Sequence, residues 1–523
     1  SGGQVRVVTS TVTVRVEPNL CRQECISPAV TYFSNQKIYG SYEFEAGQMY
    51  AITNSFEVMP DTIVKVKTGA VLLLLLPVGV RIDVAPDAVF HLESGTLTNA
   101  CGELWDGIYV ASGGDFYATA GPTGRRAEIS FAADGVVLSD DPAATQPPPM
   151  RIEYTDFRHN WRHLTWRMAP STPRTGSYLR HCTLDTDPLL LEEAIGTGRQ
   201  YNALWSVRLS GDLRHVPIVH NEFGRAWTGL FATEDVYLGS PLLHTLAHNT
   251  FSSNWLAGVW AGGSLNSLYC EDNEFRFPQE LYPPATAQLA SELLPLLPQA
   301  DADEINHATR DFTTFGVFSP HGPATLKNNR FEQPDLWHYA NLGAPPFVLA
   351  RNWQVGAYVN DAANSAIEGN RFQVLHTGLL GLKAHHTTVV NNVFLECEYG
   401  VWVTAPNGAA VANTICINCN SFIRNSPLDL PTYTSGYAGL PALTWSGTQP
   451  TLGGLMYPIY VDHANALVID EFRPLYQNLP NGELMGNLFF DVTTAEYLGP
   501  GLYDIGHQRA IVQNETTPLL AYK

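Results

Sequence analysis

One phrase, Asn-x-Phe, returns along this chain from residue 221 onward. It stands at Asn221–Phe223, Asn249–Phe251, Asn273–Phe275, Asn329–Phe331, Asn370–Phe372, Asn392–Phe394, Asn420–Phe422 and Asn487–Phe489. Successive Phe lie 28, 24, 56, 41, 22, 28 and 67 residues apart. The short steps read as one period, and the long ones read as the same period interrupted by insertions. Six or seven residues after several of these Phe comes a second phrase, Gly-apolar-aromatic-small, as in Gly229-Leu-Phe-Ala, Gly258-Val-Trp-Ala and Gly400-Val-Trp-Val, and the phrase stands again at Gly356-Ala-Tyr-Val. Related copies begin at Gly107, Gly316, Gly378 and Pro458. Short strands separated by tight turns, recurring at this period, describe one coil of a β-solenoid. Each coil would hydrogen-bond to the next at the strand spacing of about 4.8 Å. Asn suits the turn because it tolerates the left-handed region and can bond along a ladder of its copies. The Phe would stack inside.

The pattern resembles the right-handed parallel β-helix repeat family over residues 36–492, which implies an all-β fold. A narrower resemblance lies in Ala100-Cys-Gly-Glu-Leu-Trp-Asp-Gly-Ile-Tyr-Val110. It is similar to a segment of large secreted β-helix proteins from Bacteroidota. That resemblance implies export by the type IX system, with secretion machinery as a partner, and a place outside the cell more than a reaction.

The chain has 523 residues, a net charge of −20 and only 15% charged residues. No basic run exists, so a phosphate backbone or an anionic membrane surface would be repelled; nucleic acid is excluded as a partner. The longest apolar run, Val71 to Val80, is too short and carries a Pro, so membrane insertion is not expected. Cations, Ca²⁺ among them, remain plausible; the acidic run Asp301-Ala-Asp303-Glu304 would be the place, although such runs are usually solvated turns. No other cofactor is expected. Eight Cys suit disulfides, and Cys21 with Cys25, in one short loop, are the best candidates. Cys416-x-x-Cys419 lacks the second half of a zinc site.

Three regions follow. Residues 1–35 form an N-terminal strand or cap, whose Val- and Thr-rich start could instead pair with another chain and build a homo-oligomer. Residues 36–492 form the β-helix. It carries insertions at about 278–311, where Ala285–Leu297 has helical composition, and at about 423–456. Residues 493–523 form a C-terminal cap or tail.

Aligning the Gly phrases puts apolar residues at the second position and small or apolar ones at the fourth. Strand alternation then turns the third position outward. It holds Tyr109, Phe231, Trp260, Phe318, Tyr358, Leu380, Trp402 and Tyr460. An outward aromatic ladder suits stacking against sugar rings, unless the insertions fold back over it or the register is shifted by one. Beyond the ladder, His321, Asp361 and Lys383 close successive coils and are the candidate catalytic groups. A base and a cation there would suit a polysaccharide lyase. A hydrolase needs a carboxylate pair, and these strand ends show a single carboxylate, Asp361. The expected function is therefore binding rather than catalysis: an adhesin-like secreted or cell-surface β-helix protein whose aromatic face takes a glycan or a surface protein. The alternatives are a β-helix lyase or hydrolase, and a structural subunit of a surface fibre or layer.

Overall fold

The structure, a computed structural model, describes residues 30–75, 80–99, 103–170, 175–187, 203–263, 266–278, 314–333, 354–360, 364–382, 387–395, 397, 399–405, 415–418, 420–424, 457–463, 488–491 and 496–500. Among them every element is a β-strand. The chain divides into two compact units, Ser1–Leu209 with His220–Ala226, and Ser210–Val219 with Trp227–Lys523.

Both units have the same construction. Every third strand pairs in parallel with its predecessor, so each coil gives one strand to each of three sheets. In the first unit, the first sheet starts with Thr31–Phe33 against Met49–Ile52 and ends at Glu222–Gly224. The second runs from Lys37–Ile38 to Ala203–Leu209, and the third from Ser41–Phe44 to Tyr178–Arg180. In the second unit the sheets begin at Thr250–Ser252, Ala226–Ala232 and Ile218–Val219. This is a right-handed parallel β-helix, the hand that parallel crossovers adopt. The last pairing, Leu488–Asp491 with Glu496–Pro500, is antiparallel.

The two phrases explain the second unit's core. Phe251, Phe275, Phe331, Phe372 and Phe394 form a buried column, with ring centroids 4.6 to 4.9 Å apart and nearly parallel planes. Backbone register continues it through Phe422 to Phe489. Each Gly lies against the Phe of the following coil. A Cβ on Gly356 would sit 2.5 Å from the Phe372 ring and 2.5 Å from the Gly378 carbonyl oxygen. Gly258, Gly316 and Gly378 meet Phe275, Phe331 and Phe394 in the same way. Thus the Gly phrase exists because the ring fills the place of a side chain.

Asn249, Asn273, Asn329, Asn370, Asn392 and Asn420 form a continuous ladder. The backbone N–H and Nδ2 of each of the first five donate to Oδ1 of the next, at 2.8 to 3.2 Å. Each Nδ2 also donates to a main-chain carbonyl. The left-handed residue at this corner is not the ladder Asn but the one before it: His248, Asp272, Asn328, Gly369 and Asn391 have φ between 52° and 67°. The chain turns there, which frees Asn to point inward and satisfy buried backbone groups.

Cys182 and Cys270 are buried free thiols, and Cys397 is buried as well. Cys21 and Cys25 lie outside the described residues, as do residues 279–311, with the stretch of helical composition and the acidic run, and residues 425–456.

Candidate functional site

The aromatic ladder pairs in the expected register. Phe231 lies opposite Trp260, Trp260 opposite Phe318, then Tyr358, Leu380, Trp402 and Tyr460 in turn. Rings follow one another closely: Trp260 to Phe318 at 4.0 Å and Phe318 to Tyr358 at 4.6 Å. The expected openness is not what the structure shows. Phe231, Trp260, Phe318, Tyr358 and Trp402 are at most 5% exposed. Strands Ala226–Ala232 and Ala257–Ala261 are buried at every position, so both of their faces are covered. Alternation along a strand fixes which side a residue takes, but not whether distant chain closes over that side. Trp260 Nε1 has no hydrogen-bond partner among the described residues.

Tyr109, in the first unit, differs. It is partly exposed between buried Ile108 and Val110. Its hydroxyl donates to Asp134 Oδ2 at 3.1 Å, and the Arg81 guanidinium lies over its ring at 5.4 Å. His321 is partly buried in the turn after Thr314–Ser319. Strands Thr314–Ser319, Gln354–Asn360 and Thr377–Leu382 do stack as consecutive coils. Asp361, Lys383, Asp301, Asp303 and Glu304 lie outside the described residues, as does the side chain of Tyr460.

An open aromatic strip occurs elsewhere, on the third sheet of the first unit. Lys65, His91, Tyr117, Arg151 and Tyr178 face one another in successive strands. All five are partly exposed, and their strand neighbours Val64, Val66, Phe90, Leu92, Phe116, Ala118, Ile152 and Leu179 are buried. The His91 and Tyr117 rings meet edge to face at 6.0 Å. The Arg151 guanidinium lies 4.9 Å from the Tyr117 centroid and hydrogen-bonds its hydroxyl. Arg180 covers Tyr178 at 4.4 Å and pairs with Glu153 at 2.8 Å. Burial lowers the basicity of His91, so this ring is neutral near pH 7. Burial, then Asp115, raise Tyr117. The strip therefore reads ammonium, two uncharged rings, guanidinium and a further ring at strand spacing. Sequence reading missed the strip because its strands are only three to five residues long and no recurring phrase marks them.

The profile of a family described as "Periplasmic copper-binding protein (NosD)" matches residues 348–451. No curated protein matches the chain. The match spans coils of the second unit, where Asn370, Phe372, Gly378, Asn392 and Phe394 carry the repeat. Copper needs a converging set of imidazole, thiol or carboxylate donors. Among the described residues no three such groups converge. Within the matched span, His376 is buried, with Nδ1 2.9 Å from Thr377 Oγ1, and burial holds its imidazole down at about 3. The Cys397 thiol is buried within 3.7 Å of backbone carbonyls. These described residues do not fit a copper centre.

Proposed function

We propose that this chain is an exported β-helix protein that works by binding, and that its ligand is a glycan laid along the third sheet of the first unit. The observation that carries this is the in-register strip Lys65, His91, Tyr117, Arg151 and Tyr178. Aromatic rings offer apolar faces to sugar rings, and guanidinium groups offer fixed donors to hydroxyls and carboxylates. Strand spacing repeats these offers along the solenoid, which suits a polymer. Export is supported by the word "periplasmic" in the matched family's description. The segment Ala100–Val110, with its likeness to secreted Bacteroidota proteins, supports type IX export and display at the cell surface. A surface protein is the alternative ligand, and pairing through the N-terminal strand is the alternative assembly.

The test is affinity electrophoresis of the purified protein through gels containing neutral and acidic polysaccharides. Retardation by at least one polymer is expected. Tyr117→Ala together with Tyr178→Ala should weaken it by roughly 2- to 30-fold, from the ~0.5–2 kcal/mol of such ring contacts. Retardation that survives the double variant would move the binding face away from this strip.

A further inference from the structure

The first unit buries apolar side chains in two places, and only one of them is its interior. In the first coils the interior of the first sheet holds Phe33, Tyr50, Ile52, Leu72 and Leu74. The residues between them form two further columns. Tyr32 pairs with Ala51 and Ala51 with Leu73, while Met49 pairs with Val71. By alternation these stand on the outer face of the sheet. Ala51, Leu73 and Leu75 form one apolar cluster there, with Val30, Met49 and Val71 packed against it. The cluster stops at the next coil, where the columns continue as Thr96 and Thr98, and Thr96 in turn pairs with Glu128.

An outer face ordinarily meets water. Here Ala51 is 0% exposed and Leu73 and Leu75 are each 8% exposed, whereas Tyr32, in the same column, is 66% exposed. The cover therefore crosses the second and third coils. A further coil stacked on the open end would lie beside Tyr32 and leave Leu73 and Leu75 wet. Within the described residues, Val71–Leu74 pairs only inside its own sheet, with Met49–Ile52 and Thr96–Thr98. Residues 76–79 and 100–102 are short connections already committed to reaching the strands of the second sheet.

The chain itself supplies an occupant. Residues 1–29 precede Val30, and Val30 belongs to the cluster, so this segment departs from the patch. Within it, Val12-Thr-Val14-Arg-Val16 sets three Val at two-residue spacing. Val71, Leu73 and Leu75 have the same spacing. A strand packed face to face on a sheet runs within about 30° of the strands beneath it, so three Val can meet three outward residues rung for rung. Thr13 and Arg15 would then face water, as alternation requires.

We propose that residues 1–29 dock across the outer face of the first sheet, with Val12, Val14 and Val16 seated on Val71, Leu73 and Leu75. The occupant of this surface is a strand of the same chain, and the first coils gain a second layer instead of an extra rung. The docking is independent of the glycan reading, which concerns the third sheet.

The test is limited trypsin digestion of the full chain under native conditions, timing the released peptides by mass spectrometry. Arg6, Arg15 and Arg22 are the cleavage sites in the segment. The cut after Arg15 should be slow compared with the same cut in urea-unfolded protein. Leu73→Asp, which puts a charge on the outer face, should speed it by about 10-fold or more, because cleavage follows the population of the undocked state. Val12→Ser together with Val14→Ser should do the same from the other side of the contact, and these lie outside the solenoid core. Far-ultraviolet spectra should not change. Equal cutting of Arg15 in the wild type and in both variants would overturn the docking. Sedimentation of the wild type should show a monomer. A dimer whose Arg15 protection disappears on dilution would give the surface to the segment of a second copy and overturn docking within one chain.

Discussion

At the scale of single residues, the tightest constraint is the space beside each Phe ring. Gly356→Ala forces a methyl against both the Phe372 ring and the Gly378 carbonyl oxygen. Overpacking of that kind costs about 1–3 kcal/mol, and backbone cannot move aside as a flexible side chain can. Thermal unfolding should show a Tm several degrees lower, whereas Gly124→Ala, with nothing within 4 Å, should show only the smaller strain of its φ of 74°. A second residue-scale effect concerns acid. His163 is buried, bonded to Asn160 and Thr186, and burial holds its imidazole down at about 3. An unfolded His titrates near ~6.5. Below that pH the unfolded chain binds a proton that the folded chain refuses, so stability falls as pH drops from about 6.5 towards 3. His376 behaves alike. Together they should remove on the order of a few kcal/mol by pH 4.5. Urea melts of His163→Gln should show a flatter decline over that range than wild type. The need for Gly could be read from the sequence as a recurring phrase. The neutral state of His163 could not, since it comes from complete burial, which no recurring phrase marks.

Elements show where sequence reading holds and where it ends. The period of Asn and Phe set the register correctly, because a one-residue slip would turn every Phe out of the core. The position of the left-handed residue was misplaced by one, since Asn tolerates that conformation but is employed here for its amide. The aromatic ladder kept its register and lost its exposure, because alternation sets the side a residue takes and not whether that side is covered. The outer apolar patch joins Ala51 to Leu73, 22 residues on, so only the pairing of successive coils reveals it. Within the Phe column, Phe331 lies between Phe275 at 4.6 Å and Phe372 at 4.8 Å. Phe331→Ala should cost ~3–5 kcal/mol, the usual range for a buried ring. The denaturant midpoint would report it, and a loss below about 1 kcal/mol would mean that the column collapses to fill the gap. The thiols offer a probe of the same elements. Burial pushes Cys182 up to about 12 and raises Cys270 as well. A thiol reagent at pH 8 should leave Cys182, Cys270 and Cys397 unlabelled in the native protein and label them after unfolding, as mass spectrometry of peptides would show.

On the scale of the whole molecule, the coils tolerate long interruptions. Strand Ala257–Ala261 pairs in register with Thr314–Ser319, and Thr314–Ser319 with Gln354–Asn360, across dozens of intervening residues. Closing a shorter loop loses less entropy, by about 0.6 kcal/mol per halving of its length. Replacing residues 281–311 with a short Gly-Ser linker should therefore preserve the far-ultraviolet β signature. Loss of that signature would show that the insertion belongs to the fold rather than to a face of it.

The Asn ladder also gives the solenoid a direction. Each amide from Asn249 to Asn392 donates toward the higher-numbered coil, and each from Asn273 to Asn420 accepts from the lower. The side-chain dipoles thus add head to tail, and each bond polarises the next. Such a row behaves as a vector: one end presents a carbonyl oxygen and the other presents N–H groups. A coil duplicated within the row extends it at no cost in partners. A coil lacking its Asn strands a buried donor on one neighbour and a buried acceptor on the other, so the row can lengthen by whole coils far more readily than it can lose a single rung.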